Sequence, residues 1–454
     1  MLPPILKALA LGLAVSMAPS LAAAQTDLPD YVIEAFGQPP AIPEGPLAPE
    51  LEVALQRAIE IGRDQAGWDL VDTDAFETIA ASGDPRAAWL ITDLMRFTWR
   101  PEVFVALRDV SVELLGVEPQ TFRPRAEIAD HLIAWEVPAY PGYLDHKRQI
   151  FTAYLPGLEE LMVEGDIDWH LVSWGGVRID DRPYDTTATP CQCIPASDNP
   201  PVQTADEATW LDDDDIIFGI EINGEARAYP RQIMEVREMV NDTLGGRHLG
   251  MPYCTLCGAA QAYFTDELPI GVERPVLRTS GLLIRSNKVM YDITSMSVFD
   301  TFTGEAVTGP LAVRGLQLQQ ASVITTDWAS WREAYPHTTV LVEELALGRD
   351  FDFRNTRDAD GPIFPVGDVD PRLPVQEDVV GVFTGDGRPV AFPRGLALAA
   401  LSDGAEVAFD DVRIVQAAGG LRAVGPDGED LGSHEAFWFA WSQFHPNTAL
   451  WPDG

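Results

Sequence analysis

The sequence predicts an α+β protein in which an all-α N-terminal domain precedes a β-rich, internally duplicated C-terminal domain. Three observations support this fold class. Apolar residues recur at helical spacing from about residue 51 to residue 155, Gly, Pro and Asp become frequent from about residue 174, and a hairpin followed by a Trp-bearing segment occurs twice. A chain of 454 residues with 46% hydrophobic residues can bury two or three cores without help from disulfides.

The charge of the chain limits its partners. Its 31 Lys and Arg face 70 Asp and Glu, which gives a formal net charge of −39. A nucleic-acid binder and a polybasic membrane anchor both need a basic surface, so the sequence predicts no nucleic-acid partner. The same charge would repel anionic partners.

Residues 1–24 have the pattern of a secretory signal peptide. A short basic region with Lys7 precedes an apolar core over residues 8–18, and three alanines at 22–24 form a small-residue cleavage site. The alternative is an uncleaved anchor, although the apolar run is short for a membrane span. We expect a periplasmic or extracellular protein with no integral membrane segment after signal removal, in a compartment where disulfides form.

A Pro-rich leader over residues 25–49 and a helical domain over residues 50–173 follow. Asp84 is a predicted N-cap with Pro85 at the first helical position, and a later helix is predicted to begin at Pro101 and end at Gly116. A row of short amphipathic helices could recruit a protein partner. This partner surface is an expectation from the helical pattern alone.

The β-rich region is predicted as two copies, residues 174–345 and 377–454, joined by a linker over residues 346–376. In the first copy, Asn223-Gly224 between apolar runs predicts a hairpin with a two-residue turn. A similar hairpin returns near residue 386, and the Trp pair spaced at 328 and 331 recurs at 438 and 441. Only the first copy contains the four cysteines, so it is the better candidate for function.

Cys254 and Cys257 form the sharpest local motif, Cys-x-x-Cys followed by Gly258. Three interpretations remain open: a structural disulfide, a soft-metal site for copper or zinc, and a redox-active dithiol. Copper is preferred if a thioether takes part, and zinc if the thiols bind the metal alone. The chain has none of the common glycine-rich phosphate motifs, so no nucleotide-based cofactor is expected.

A metal would need further ligands. His248, six residues before Cys254, and the thioether of Met290 are the candidates, although an exposed His and a core Met are the simpler interpretations. A disulfide within Cys191-Gln192-Cys193 is expected to be strained, so cross-pairing with Cys254 or Cys257, or a four-thiolate metal site, stays open.

Several segments together resemble one bacterial family. They include Val240-Asn241-Asp242, the Tyr-Cys-x-Leu-Cys-Gly segment at residues 253–258 and Ser280-Gly281-Leu282-Leu283. On these residues the chain resembles the domain of unknown function 3179 family, firmly over residues 176–345 and more weakly over residues 375–454. The resemblance implies a secreted or membrane-anchored protein without an assigned activity. It also implies a His where this chain has Arg237; if that His is a metal ligand in relatives, this chain has lost the ligand or replaced it by His248.

Two functions are therefore expected from the sequence. The first is a soft-metal or redox-active thiol site at Cys254 and Cys257. The second is a non-catalytic extracytoplasmic binding or structural module whose cysteines form a stabilising disulfide. Whether the protein is an enzyme stays open at this point.

Overall fold

The structure is a computed structural model that describes residues 28–64, 73–186, 191–343 and 361–452. The predicted signal peptide, the first residues of the predicted leader and residues 346–360 of the predicted linker lie outside the described residues. Helices come first in the chain, and a β-rich region arranged as a five-bladed β-propeller follows. The broad α+β prediction is therefore confirmed, whereas the propeller was not predicted.

Seven helices precede the first strand within the described ranges. They are α1 (Asp30–Phe36), α2 (Pro49–Arg63), α3 (Asp74–Ala81), α4 (Ala88–Phe97), α5 (Pro101–Leu115), α6 (Pro124–Ala134) and α7 (Tyr143–Tyr154). The predicted helix start at Pro101 is confirmed, because proline lacks the N–H that a first turn leaves unbonded. Gly116 ends that helix with φ of 68°, and the Asp84 side chain accepts a hydrogen bond from Arg86 N, as the capping pattern predicts.

The β-rich region contains 22 described strands. The first twelve are β1 (Val172–Trp174), β2 (Ser197–Asp198), β3 (Val202–Thr204), β4 (Ile216–Ile222), β5 (Glu225–Pro230), β6 (Met239–Leu244), β7 (Arg247–Cys254), β8 (Ala259–Ala260), β9 (Ala262–Phe264), β10 (Leu277–Ile284), β11 (Asn287–Asp292) and β12 (Val298–Asp300). The others are β13 (Gln319–Ala321), β14 (Ile324–Asp327), β15 (Thr339–Leu341), β16 (Asp378–Phe383), β17 (Pro389–Pro393), β18 (Val407–Phe409), β19 (Val412–Ala417), β20 (Gly420–Val424), β21 (His434–Phe437) and β22 (Ala449–Leu450).

Short helices alternate with these strands. They are α8 (Arg231–Arg237), α9 (Gly309–Val313), α10 (Trp328–Ala334), α11 (Arg394–Ser402) and α12 (Trp438–Phe444). None of the helices in the described ranges combines the length and apolar composition needed to cross a membrane.

The strands form five sheets. Sheet 1 has the order β1-β10-β11-β12, sheet 2 the order β13-β9-β7-β6-β2 with β8 added to β7, and sheet 3 the order β14-β4-β5-β15-β3. Sheet 4 has the order β21-β16-β17-β22, and sheet 5 the order β18-β19-β20. The functional site described below lies where β7 of sheet 2 meets the β10–β11 hairpin of sheet 1.

Sheets 3 and 4 share one topology. In each, a hairpin is flanked by an antiparallel strand that leads directly into a Trp-bearing helix, and the strand after that helix pairs parallel with the second hairpin strand. Trp331 packs on Gly219 in sheet 3, and Trp441 packs on Gly381 in sheet 4, so that a Cβ on either Gly would overlap the indole ring. The shared topology is compatible with the predicted duplication, which stays a prediction.

The helices and sheet 1 share a hydrophobic core. The largest core cluster joins residues of α2 to α7 with residues of β10, β11 and β12, among them Leu282, Val289 and Val298. Arg96 of α4 also donates a hydrogen bond from Nε to Trp174 O at 2.7 Å. Sheet 1 is therefore held by helices on one side and by sheet 2 on the other, which fixes the site between the two sheets.

Candidate functional site

Cys254 and Cys257 lie on a tight turn between β7 and β8. The turn closes with a hydrogen bond from Cys257 N to Cys254 O at 3.2 Å, and the strands on either side of it pair Cys254 with Ala259. Gly258 completes the turn with φ of 63°, a conformation that favours glycine. The two Sγ atoms are 2.9 Å apart, and the side chains are 2% and 0% exposed, so the Cys-x-x-Cys segment forms a buried, hydrogen-bonded pair of free thiols.

The tip of the β10–β11 hairpin covers the two sulfurs. Its two turn residues, Arg285 and Ser286, both have positive φ, as a two-residue hairpin turn requires. Ser286 O lies 3.6 Å from Sγ of Cys254 and 3.6 Å from Sγ of Cys257, within reach of an S–H donor. Asn287 Oδ1 lies 3.7 Å from Cys257 Sγ. The hairpin therefore supplies acceptors for protonated thiols and brings the next residue, Lys288, beside the pair.

Lys288 and Glu238 form a buried ion pair at the site. The Lys288 ammonium donates to the backbone oxygen of Glu238 and lies 3.3 Å from its carboxylate Oε2. Thr255 Oγ1 donates to the other carboxylate oxygen at 3.1 Å. Glu238 ends α8 with φ of 50°, which turns the chain into β6 and leaves the carboxylate facing Lys288. A buried charge pair of this kind is stable only when hydrogen bonds satisfy its remaining polar atoms, as they do here.

The two thiols have opposite electrostatic environments. Burial opposes ionisation of Cys254, but the hydrogen bond from Cys257, the backbone N–H of Lys288 and the Lys288 ammonium outweigh it and lower the pKa of Cys254 below its ordinary value. Burial, together with the neighbouring Cys254, raises the pKa of Cys257 well above its ordinary value. Burial also lowers the pKa of Lys288, while Glu238 and Cys254 oppose that effect. Cys254 is therefore the thiol of the two that ionises more readily.

A cavity of about 420 Å³ opens onto Cys254. Cys254 and Thr255, the Glu238–Lys288 pair and the bulged segment of β10 line it, together with a set of apolar side chains: Val177, Ile194, Leu256, Leu282, Leu283, Val289, Ile363 and Phe364. Gly281 in the bulge has φ of 76°, and a Cβ there would overlap Val177 O. Cys257 is not among the lining residues, so Cys254 faces the cavity and Cys257 lies behind it.

Comparison with known families places these features in context. A family model described as "Protein of unknown function (DUF3179)" matches residues 191–424, just over half of the chain. The chain belongs to the DUF3179 family. No curated protein and no solved structure matches it. The DUF3179 match contains both cysteine pairs, Glu238 and Lys288, so every charged or thiol group that lines the cavity lies within the family region.

Arg237 stands in this DUF3179 chain where the resemblance implies a His. Its guanidinium is ion-paired with the carboxylate of Glu343 and also donates to Pro195 O at 3.4 Å. Ser197 Oγ donates to the second Glu343 oxygen. Arg237, the residue before Glu238, is therefore held in its own ion pair with Glu343.

The other predicted ligands lie apart from the thiol pair. His248 is on β7 six residues before Cys254, which along an extended strand is about 20 Å, and its Nδ1 lies 3.0 Å from Thr243 Oγ1. Met290 is fully buried in a core cluster with Met239 and Tyr263, separate from the cluster that contains the two cysteines. The structure thus brings Cys254 and Cys257 together, without His248 or Met290.

Cys191 and Cys193 form a disulfide with each other, with Cα atoms 5.1 Å apart. The sequence left this pairing open beside cross-pairing with the second pair. With Asp180 they make the one group of three potential ligand side chains found within the described ranges. Asp180 is already satisfied, because Arg182 Nε donates to it at 2.6 Å and Ala196 N at 2.8 Å. Both sulfurs are bonded, so this group has no free donor for a metal.

Sequence reasoning missed Lys288 and Glu238 as parts of the site. Lys288 lies 34 residues from Cys254 on β11, and Glu238 lies 16 residues from it at the end of α8, so no local pattern joins them. One signal was available: Lys288 is one of only three lysines in a chain whose cations are otherwise arginine. Burying a lysine without a partner costs free energy, so a rare lysine within the residues that match the family was a candidate for function.

Proposed function

We propose that Cys254 and Cys257 form a redox-active dithiol that exchanges with a disulfide or a dithiol entering the cavity. The observation that supports this function best is the thiol pair itself: two sulfurs 2.9 Å apart, of which only Cys254 faces the cavity. In such a pair the accessible thiol attacks and the buried thiol resolves. The Cys-x-x-Cys hypothesis of a redox-active dithiol is the one that this geometry favours.

The reaction balances between the protein and its substrate. The Cys254 thiolate attacks one sulfur of R–S–S–R′, forms a mixed disulfide with R and releases R′S⁻, which takes a proton from water. Cys257 then loses its proton to water and attacks Cys254 Sγ, which closes the protein disulfide and releases RS⁻. Two electrons pass from the dithiol to the substrate, and the reverse sequence oxidises an external dithiol.

Lys288 and Glu238 set the order of the two steps. Lys288 stabilises the thiolate on Cys254, and the charge of that thiolate raises the pKa of Cys257. Once Cys254 is in a mixed disulfide its charge is gone, so Cys257 ionises more readily. Glu238 holds the Lys288 ammonium in place through two contacts. By stabilising the Cys254 thiolate, the Glu238–Lys288 ion pair thus keeps Cys257 protonated until the mixed disulfide on Cys254 has formed.

The same geometry does not favour copper or zinc at this pair. Tetrahedral zinc with Zn–S bonds of about 2.3 Å holds two sulfurs about 3.8 Å apart, farther than the 2.9 Å found here. The Lys288 ammonium beside Cys254 would repel a cation. Within the described ranges, no group of three His, Cys, Asp or Glu ligands includes either thiol.

A redox titration tests the proposal. The chain without residues 1–24 is equilibrated with mixtures of reduced and oxidised dithiothreitol, and free thiols are alkylated and located by mass spectrometry. We expect Cys254 and Cys257 to convert together in one reversible two-electron step. With bis(2-hydroxyethyl) disulfide, whose thiol product cannot cyclise as dithiothreitol does, Cys257→Ser should trap a mixed disulfide on Cys254, whereas Cys254→Ser should trap none. Thiols that do not convert reversibly, or stoichiometric copper or zinc on the purified chain, would contradict the proposal.

The double variant Cys191→Ser/Cys193→Ser is the matched control for this titration. It removes the other disulfide, and because Cys191 and Cys193 lie outside the thiol pair, the step at Cys254 and Cys257 should persist. If the redox step disappears in this double variant, the step belongs to Cys191 and Cys193 and not to Cys254 and Cys257.

A non-catalytic extracytoplasmic module is the second candidate, favoured by the Cys191–Cys193 disulfide. Disulfides persist in oxidising compartments, so this bond also supports our proposal that the protein acts in the periplasm or outside the cell. In that case the helices could serve to recruit a protein partner, and the buried thiols would be inert. Failure of Cys254 to exchange with dithiothreitol, in a chain that keeps the Cys191–Cys193 bond, would favour this module.

A further inference from the structure

The position of Cys254 restricts what can reach it. Its side chain is 2% exposed and lies at the wall of a cavity of about 420 Å³, a volume typical of small-molecule sites. A disulfide on the surface of a folded protein cannot enter a space of this size without unfolding locally. The accessible substrates are therefore small molecules whose sulfur can be placed against Cys254 Sγ.

The cavity wall is mostly apolar. Eight of its lining side chains are aliphatic or aromatic, contributed by β10, β11 and the segments near residues 177, 194, 256 and 363. Among the described lining residues the charged side chains are Glu238 and Lys288, which are paired with each other. An anionic substituent entering the cavity would lose its hydration without meeting an unpaired cation, which is strongly unfavourable. A cationic substituent would meet only the Cys254 thiolate, whose charge is lost when it attacks.

The negative net charge of the whole chain also disfavours anionic substrates. A formal net charge of −39 lowers the local concentration of anions at the protein surface. Common anionic disulfides are thus disfavoured twice, once on approach and once on entry. Cations are favoured on approach but meet the same desolvation on entry.

We infer that the cavity selects small, uncharged disulfides with apolar substituents as the substrates of the Cys254–Cys257 dithiol. This inference rests on the proposed function, because it names the substrate class of that same thiol pair. The aliphatic wall binds the apolar substituent, and the paired charges at its base position the Cys254 thiolate against the sulfur.

Methanethiosulfonates test this selectivity, because each transfers an RS group to a thiolate and releases methanesulfinate. The reduced chain is treated with butyl, 2-sulfonatoethyl and 2-(trimethylammonio)ethyl methanethiosulfonate, and each rate at Cys254 is divided by the rate with a small free thiol. We expect the neutral butyl reagent to be favoured over the anionic one by about a hundredfold, and over the cationic one by about tenfold. Normalised rates that agree within about twofold for the three reagents would overturn the inference.

Charge changes in the wall sharpen the test. Ile363 is half-buried in the lining, so Ile363→Lys should speed the anionic reagent, and Ile363→Glu should slow it further, each relative to the neutral Ile363→Gln. Ile270 is 99% exposed and lies outside the cavity, so Ile270→Lys and Ile270→Glu should leave the rates nearly unchanged. Equal effects at the two positions would show that the cavity does not discriminate, and would overturn the inference.

Failure of this inference is distinguishable from failure of the proposed function. Dibutyl disulfide should oxidise the Cys254–Cys257 pair, and the anionic glutathione disulfide should do so at least about tenfold more slowly. Equal rates would overturn the selectivity and leave the dithiol function standing. A pair that is oxidised by neither compound, nor by oxidised dithiothreitol, would overturn the function as well.

Discussion

At the scale of single residues, the site depends on a difference between two chemically identical side chains. Cys254 and Cys257 are three residues apart, and both are buried, yet their pKa values shift in opposite directions. The cause is position: the hydrogen bond from Cys257, the backbone N–H of Lys288 and the Lys288 ammonium together outweigh burial at Cys254 and lower its pKa. At Cys257, burial and the neighbouring Cys254 both raise the pKa. Thiol–disulfide exchange needs this asymmetry, because one sulfur must attack and the other must wait.

Two substitutions should move the reactivity of Cys254 in opposite directions. Lys288→Met removes the cation that lowers the pKa of Cys254, so alkylation by iodoacetamide at pH 7 should slow by about tenfold. Glu238→Gln removes the anion that raises the pKa of Cys254 but keeps the backbone oxygen to which Lys288 donates, so alkylation should become faster at the same pH. The measurement is the alkylation rate from pH 5 to 10, with the modified residue identified by mass spectrometry.

The opposite signs separate electrostatics from loss of packing. A purely structural disturbance would change both variants in the same direction. Circular dichroism of each variant checks that the fold is retained. Rates that stay equal to the unsubstituted chain in both variants would show that the ion pair does not tune Cys254.

The sequence predicts the thiol pair but not its electrostatic partners. Cys-x-x-Cys is a local pattern, and the spacing alone brings two sulfurs together on a turn. Glu238 and Lys288 reach the pair only through the pairing of β6 with β7 and the approach of the β10–β11 hairpin, which no short-range signal specifies. The prediction of His248 as a further ligand also relied on closeness in sequence. His248 and Cys254 lie on the same extended strand, which holds their side chains far apart.

At the scale of elements, sheets 3 and 4 are held by the same device. A glycine in the central hairpin strand leaves room for an indole ring from the following helix, and the indole N–H donates to a threonine: Trp331 to Thr338 at 2.9 Å and Trp441 to Thr448 at 2.8 Å. Each Trp is fully buried. The ring can approach the strand only where the side chain is a hydrogen atom, so the glycine and the tryptophan depend on each other.

Adding one methyl group to either glycine should destabilise the protein. Gly219→Ala and Gly381→Ala each place a Cβ in an indole ring, which should lower the free energy of unfolding by about 1–3 kcal/mol. Gly395→Ala is the matched control, because its Cβ would meet no atom within 4 Å and it lies in α11, where alanine is favoured by about 0.5–1 kcal/mol. Urea unfolding of the three variants measures these changes. A stable Gly381→Ala would remove the packing role assigned to Trp441.

The elements that the sequence predicts best are the local ones. The Asn223-Gly224 hairpin is confirmed, with φ of 53° and 83° at the two turn residues, because a two-residue turn needs positive φ and these residues tolerate it. The five sheets could not be predicted, because their assembly depends on distant pairings such as β1 with β10 and the parallel pair of β2 with β6. Pairings between segments this far apart in the chain have no signature in a local window.

At the scale of the whole molecule, proton binding links buried groups to stability. Burial lowers the pKa of His434 to about 3, with a smaller contribution from His445, and lowers that of His445 to about 4. The unfolded chain binds protons on these rings near their ordinary pKa of 6.5, and the folded chain does not. Stability from each neutral His is therefore fully present above pH 6.5 and is lost as the pH falls toward the folded-state value.

The variant His434→Gln should reveal this linkage. From pH 7 to pH 5 the unsubstituted chain should lose about 2 kcal/mol of unfolding free energy relative to the variant, because the variant has no ring to protonate. Urea unfolding at pH 5, 6 and 7 gives the comparison. A constant difference for His434→Gln would mean that the ring is not held neutral in the folded state.

The excess of acidic residues makes self-repulsion a property of the entire chain. With a formal net charge of −39, the folded state should gain stability as salt is added, since the screening length falls from about 30 Å at 0.01 M to about 8 Å at 0.15 M ionic strength. We expect the urea midpoint to rise over this range of sodium chloride. Choline chloride at equal ionic strength should act alike if screening is the cause.

A variant with less acidic charge should need less salt. Asp212 and Asp214 are exposed in an acidic run before β4, so Asp212→Asn/Asp214→Asn should raise the urea midpoint at 0.01 M salt and reduce the gain from added salt. Neutralising Arg108 by Gln is the opposite control: it should make the gain from salt larger, because it leaves the chain more negative, although its pairing with Asp109 at the surface contributes little by itself. A midpoint that falls with salt, or that is equal in all three chains, would show that the charge is balanced locally and does not repel as a whole.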